Sequence, residues 1–277
     1  MAHKRSLEAL DKTLKYLHDN QNIFGRAMIL LSGDFRQTLP VIPRSTVADE
    51  LNIFAVLQTT KEGLSQCVFS DINQQFYDLN WLSERTILAA KNKDVDDLNA
   101  TIQSLLPGEC FTYKSVDTAT NQDDILNYPT EFLNSLELPG LPPHNLKLKV
   151  GSLVIMLRNL NQPILCNGTR LVVKKLINNV IVAKIIKGKY KGQNVLIPRI
   201  PMIPTDLPFD FRRLQFPIRL AFAMSINKSQ GQSLQVCGIN LEFPCFAHGQ
   251  SYVACLRVGK PSSLFIYAPQ KRPKYFL

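Results

Sequence analysis

The 277-residue sequence contains no G-x-x-x-x-G-K-S/T stretch. Gly188-Lys189-Tyr190 and Gly259-Lys260-Pro261 come nearest, and neither has the upstream glycine or the following hydroxyl. Without that loop, no run of backbone N–H groups cradles a polyphosphate and no lysine meets its outer oxygens, which excludes a self-contained site of that kind. Cysteine is sparse and scattered, at Cys67, Cys110, Cys166, Cys237, Cys245 and Cys255. None form a C-x-x-C pair and the four histidines do not stand beside them. That argues against zinc and for a reduced, intracellular thiol set. No apolar run approaches the ~20 residues of a membrane span. The start, Met1-Ala-His-Lys-Arg5, lacks a secretory pattern, so Asn-x-Ser/Thr at Asn99, Asn167 and Asn227 reads as coincidence.

What is present is ordinary globular material. Hydrophobic residues make up 45% and charged residues 19%, enough for one to three domains with real cores. The net charge is +10. That excess points toward a polyanion without proving one.

Taken in order, Leu7, Leu10, Leu14 and Leu17 recur at helical spacing and predict an amphipathic helix over 4–19. Ala27–Leu31 predicts a buried parallel strand. It runs into Gly33-Asp34-Phe35-Arg36-Gln37, which reads equally as a ligand loop or as a polar surface turn. Residues 48–57 and 68–79 are candidate helices, with 58–66 as a connection. Thr86–Ala90 is a strand entering the polar loop Lys91–Asp94, followed by a helix with Val95, Leu98, Ile102 and Leu105 on one face. Residues 113–124 look loop-like, and Leu138-Pro-Gly-Leu-Pro-Pro143 reads as a rigid linker. Four short β-branched runs (153–157, 171–176, 180–186 and 195–197) are separated by turn signals and predict a small antiparallel barrel. Its lysines (174, 175, 184, 187, 189, 191) suit solvated strand faces. After a second Pro-rich link over 198–208, residues 216–223 read as a buried strand. It stops at Ser225-Ile-Asn-Lys-Ser-Gln-Gly-Gln-Ser233, a loop dense in polar groups. Leu234–Leu241 and Leu264–Ala268 are further strands, and 248–258 a helix. The barrel looks inserted between two parts of one α/β domain, whose ligand groups belong at strand ends.

Several stretches together resemble the Pif1-like superfamily 1B DNA helicases, especially those carried by Helitron transposons. Gly33–Val41 is similar to motif III, Ala221–Leu234 to motif V, and Tyr252–Val258 to motif VI. The segment from Tyr128–Leu136 through Cys166–Arg170 resembles the family's SH3-like 2B domain. The resemblance implies an α/β fold: two RecA-like domains, the first partial, with an inserted SH3-like barrel. The implied segments are 1–60 as a remnant of domain 1A, 61–126 and 201–277 as domain 2A, and 127–200 as domain 2B.

The function so implied is ATP-dependent 5′–3′ unwinding of DNA, with ATP and Mg²⁺ as cofactors and single-stranded or forked DNA as partner. The expected molecule is a monomer, off the membrane and nuclear or mitochondrial. By resemblance, Gln37 and Arg257 take catalytic roles, Gln37 sensing phosphate and Arg257 reaching across as the transition-state arginine. Gly33, Asp34, Gln37, Gln230, Gly231 and Arg257 face the nucleotide, while Lys91, Asn92, Ser225, Asn227, Lys228 and Ser229 face the DNA. Beside these roles stand plainer ones: an ion pair for Arg257, a turn for Gln37, a solvated Lys91.

Three departures limit what carries over. The phosphate loop and the family's Asp-Glu pair are missing, and Met1 is expected to lie just after the latter. The Thr-Glu-Asn-Met-Arg-like stretch that follows motif III in relatives is also missing. Leu256 stands where serine usually precedes the arginine. The expectation is a shortened, internally deleted copy without ATP hydrolysis of its own. The alternative is a single-stranded-DNA-binding fragment, or a transposon remnant.

Overall fold

The computed structural model describes residues 4–17, 19–26, 56–120, 127–204, 207, 209–243, 245 and 250–269. The expected strand at 27–31 and the motif III loop lie outside them.

Helix α1 (Lys4–Leu17) forms where leucine periodicity predicts it, with an Asp11–Lys15 ion pair at i,i+4. The main sheet has five strands: β1 (Val56–Gln58), β2 (Arg85–Ala89), β13 (Ala223–Ser225), β14 (Val236–Asn240) and β15 (Leu264–Tyr267). Their order is β1-β15-β14-β2-β13 and every pairing is parallel. Alternation along β2 sends Ile87 and Ala89 to one face and Leu88 to the other. The first face packs on α2 (Lys61–Val68) and α5 (Asn92–Ser104), the second on the short α7 (Gln250–Cys255). Covered on both faces, the strands read as continuous apolar runs. At Gly238 of β14, a Cβ would sit 2.9 Å from the Val68 side chain and 3.1 Å from that of Leu64. Glycine there lets α2 lie close on the sheet.

Three expectations in this region are corrected. Residues 56 and 57 form a sheet strand rather than the end of a helix, and β1 pairs with β15. Residues 58–66 are not a connection, because Thr60 caps α2 by accepting from the Gly63 N–H at 2.9 Å. The long helix expected over 68–79 is two short ones, α3 (Ile72–Gln75) and α4 (Leu79–Ser83).

The antiparallel sheet within the expected 127–200 segment also takes in a strand from outside it. Strands β6 (Leu153–Met156), β7 (Arg170–Leu176), β8 (Val180–Ile185) and β9 (Asn194–Pro198) pair antiparallel in succession. The sheet is completed by β12 (Ile218–Leu220), which pairs with β6. The run 216–223 is thus not one strand. Its first part belongs to this sheet, and the chain re-enters the parallel sheet only at Ala223. Residues 113–124 are also not simply loop. Strand β3 (Phe111–Lys114) pairs with β5 (Asn145–Leu148), while β4 (Val116–Ala119) and β10 (Ile200–Met202) flank β11 (Phe211–Gln215). Phe111 and Val116 face outward while Asp117, Arg213 and Gln215 are buried, so the apolar-in, polar-out alternation that marks a strand is absent. Pairing with distant partners, across more than ninety residues for β4 and β11, supplies what local sequence lacks.

Module and α/β domain share one core, in which Leu153, Ile155, Val172 and Ile186 meet Leu64, Phe69, Ala221 and Phe222. Gly151 has φ +89°, and a Cβ there would stand 2.4 Å from the Phe76 ring, so the close docking of α3 requires glycine. Arg170 is buried and donates to the carbonyls of Ser83 at 3.3 Å and Arg85 at 3.0 Å. Burial lowers its pKa to about 10, so it stays a cation at the C-terminal end of α4, where the helix dipole favours one.

Beside β4, Ser115 Oγ donates to Asp117 at 2.7 Å and lies 2.8 Å from His144 Nδ1. With the Ser115 hydrogen on Asp117, His144 donates from Nδ1 to the hydroxyl oxygen. Desolvation, opposed by Asp117 and aided by Arg213, holds the His144 pKa below the ordinary 6.5. The folded chain therefore binds fewer protons than the unfolded one in this window. The stability contributed by the neutral ring is complete above pH 6.5 and is lost as pH falls below it. Thermal midpoints measured from pH 7 to pH 5 are expected to fall, and to fall less steeply in His144→Gln. Identical slopes would remove His144 from this account.

Candidate nucleic-acid interface

In the parallel sheet, Asn240 pairs with Ala89 and Ala89 with Ser225. The C-terminal ends of β14, β2 and β13 therefore stand side by side, about 5 Å apart. Three groups of side chains leave from these ends: Glu242 and Phe243, Lys91 and Asn92, and the loop 225–232. Strand ends on this side of an open α/β sheet are where such folds hold ligands. Helix α5 also begins here. Lys91 occupies its N-cap without a side-chain capping bond.

The loop after β13 is a 3₁₀ turn (Ile226–Ser229) anchored by fully buried Ile226. Asn227 and Lys228 are exposed. Ser225 is half-buried at the strand end. Ser229 departs from its expected role: its side chain is fully buried and Oγ donates to the Ile226 carbonyl at 2.7 Å. It shapes the turn and does not face solvent. Gln230 is exposed, and Gly231 has φ +74°, a left-handed conformation that glycine adopts without strain. Partial desolvation and the Arg219 cation push the Lys228 pKa down, while Asp96 opposes them. Arg219 lies 3.9 Å from Asp96. On the other side, Glu242 pairs with Lys61, which raises the Lys61 pKa. The Asp94 carboxyl is pushed up by burial and by Glu242.

Arg257 reaches this loop from behind. Its guanidinium is buried, with Nε donating to Val253 at 2.8 Å and Nη1 lying 3.5 Å from both the Ser229 and Gln232 carbonyls. The Leu234 N–H donates to the Arg257 carbonyl at 2.8 Å. The expected nucleotide-facing residues Gln230, Gly231 and Arg257 are therefore together, but here the arginine holds the loop. Gln250 was not singled out in the sequence. It is buried and donates to Asn227 Oδ1 at 3.4 Å. Its place in the polar entry to the motif VI helix was the available signal. Gly33, Asp34 and Gln37 lie outside the described residues. Among the described residues, no three His, Cys, Asp or Glu side chains are grouped to hold a metal, and no helix is long and apolar enough to cross a membrane.

An open, all-parallel five-stranded sheet interrupted by an antiparallel module defines the fold class as mixed α/β, with Lys91 and Lys228 following adjacent strand ends. The sequence pattern described as "PIF1-like helicase" matches residues 1–104, and that described as "DNA helicase Pif1, 2B domain" matches residues 131–176. Together they cover more than half of the chain, which belongs to the Pif1-like helicase family. It is similar to the ATP-dependent DNA helicase Pif1 of Campylobacter jejuni, 29% identical over 208 residues, 69% of this chain and 44% of that one. To the ATP-dependent DNA helicase PIF1 of Emericella nidulans it is 24% identical, over 95% of this chain and 45% of that one. That alignment runs over 347 residues, so the relative carries segments inside it that this 277-residue chain does not. The chain spans less than half the length of these relatives. Among solved structures it resembles Pif1 helicase from Candida albicans (TM-score 0.60, 22% identity, 96% of this chain and 70% of that one). It also resembles Bacteroides Pif1 bound to ssDNA (TM-score 0.61, 19% identity, 98% and 68%).

Proposed function

We propose that this chain is the DNA-gripping part of an ATP-dependent 5′–3′ DNA helicase, and that alone it binds single-stranded DNA without hydrolysing ATP. The observation that carries this reading is the edge itself: Lys91, Asn92, Ser225, Asn227 and Lys228 come from two adjacent strand ends. They present cations and amide or hydroxyl donors to one track, as backbone-directed DNA contacts require. The relatives are named as ATP-dependent helicases, and a Bacteroides relative was solved with ssDNA.

The residues present do not fit ATP with Mg²⁺. The sequence has no phosphate loop, and the Arg257 guanidinium is directed to the Val253 carbonyl of the preceding helix and to the 229–232 loop. No hydrolytic step is assigned to this chain. The active helicase needs the phosphate-binding half of the motor from elsewhere.

Fluorescence anisotropy with a labelled oligo-dT tests the proposal. Binding is expected without ATP, with log K falling linearly against log salt at a slope of about −0.7 per phosphate contacted. Lys228→Gln is expected to make that slope shallower by roughly the same amount. ATPase turnover, with or without oligonucleotide, is expected at the level of Arg257→Ala. No binding at low salt would overturn the DNA reading, and turnover above Arg257→Ala would overturn the catalytic one.

A further inference from the structure

Phe243 follows β14 at the same edge as the residues above, and neither the motif reading nor the charge argument uses it. Its ring lies against Lys91, with Nζ 3.6 Å from the ring centroid. It is nonetheless 39% exposed, a large apolar side chain left in solvent on the cationic side of the sheet. Its loop is fixed from below. The Leu241 N–H donates to the Tyr267 carbonyl at 2.8 Å and the Glu242 N–H to Asn240 Oδ1 at 2.9 Å, while Glu242 pairs with Lys61. Asn240 is buried at the end of β14, and its Nδ2 has no hydrogen-bond partner among the described residues. A buried donor left in this way carries a desolvation cost unless an acceptor arrives.

We propose that Phe243 is a base-stacking residue of this interface, held in place by Lys91. The inference rests on the single-stranded-DNA reading and extends it from the backbone to the bases. Strand order gives the layout: the Phe243 loop follows β14, Lys91 and Asn92 follow β2, and Asn227 and Lys228 follow β13. An extended strand crossing these three ends meets an aromatic ring first and backbone-directed cations after it. Stacking tolerates any base because each has a π-face, and it does not depend on salt. Lys91 serves twice, orienting the ring through cation–π attraction and adding positive potential beside it.

The test compares wild type, Phe243→Ala, Phe243→Leu and Phe243→Tyr on two oligonucleotides of equal charge, one oligo-dT and one with abasic sites. On oligo-dT, Phe243→Ala is expected to weaken binding by about 5- to 150-fold, the range of one stacked base. Leucine is expected to lose nearly as much, and tyrosine little. The salt slope is expected to stay that of wild type, whereas Lys91→Gln makes it shallower. On the abasic strand, the alanine and wild-type proteins are expected to bind alike. Equal affinity of wild type and Phe243→Ala for oligo-dT overturns the inference while leaving the DNA reading intact. So does a penalty that persists unchanged on the abasic strand. Failure of wild type to bind either strand overturns both.

Discussion

Asp117→Ala is expected to lower the free energy of unfolding by about 3–5 kcal/mol, the cost of leaving a buried cation uncompensated. Asp117 and Arg213 are both fully buried and 2.7 Å apart, opposite one another across β4 and β11. Arg213 donates to both carboxylate oxygens and to the carbonyls of Leu133, Leu136 and Pro142. One guanidinium thus joins the β4–β11 ladder, helix α6 (Thr130–Ser135) and the proline segment 138–143. Urea unfolding measures the effect. The double variant Asp117→Leu with Arg213→Met is expected to recover most of the loss, because removing both charges of a buried pair is often near neutral. A single-variant loss under about 1 kcal/mol, within the range of an exposed pair, would show that the pair does not organise this region.

Arg257→Ala is expected to weaken binding to oligo-dT about tenfold at fixed salt, although Arg257 does not reach the exposed edge. Its guanidinium lies against the Ser229 and Gln232 carbonyls. Losing charge-assisted bonds of this kind costs roughly 1.5–3 kcal/mol each at good geometry, and the 3.5 Å separations place these at the weak end. The loop it backs carries Asn227 and Lys228. Amide exchange distinguishes loop loosening from global unfolding. The Gln232 and Leu234 N–H groups, which donate to Ser229 and Arg257 carbonyls, are expected to lose protection while β2 amides keep theirs. Arg257→Lys is expected to fall between, since it keeps the charge and loses the planar fork. Unchanged affinity with unchanged exchange would return Arg257 to a purely structural place in the turn after α7.

The sheet ends explain why the loop after β13 is so polar, and also why its residues divide. The three-residue period of a 3₁₀ turn puts Asn227 and Lys228 outward, and returns Ser229 to the side of Ile226. A motif assigns a group of residues to a task, while the turn decides which side chains can perform it. Gln250 illustrates the reverse case: a buried amide marked only by its place at the entry to a helix meets Asn227 from another element.

Sequence alone determined the parallel α/β character, through short apolar runs entering polar loops at Ala89 and Ser225. It also determined the β-rich insertion, the motif order and the absence of a phosphate loop, because periodicity and motif spacing are local properties. Only the tertiary structure decided where the inserted module begins and ends. Strands β3, β4, β11 and β12 owe their state to partners distant in the chain. It decided that β1 belongs to the main parallel sheet, that Ser229 and Arg257 point inward, and that Phe243 stands beside Lys91. Each of these depends on which strand ends become neighbours, a consequence of sheet order rather than of distance along the sequence.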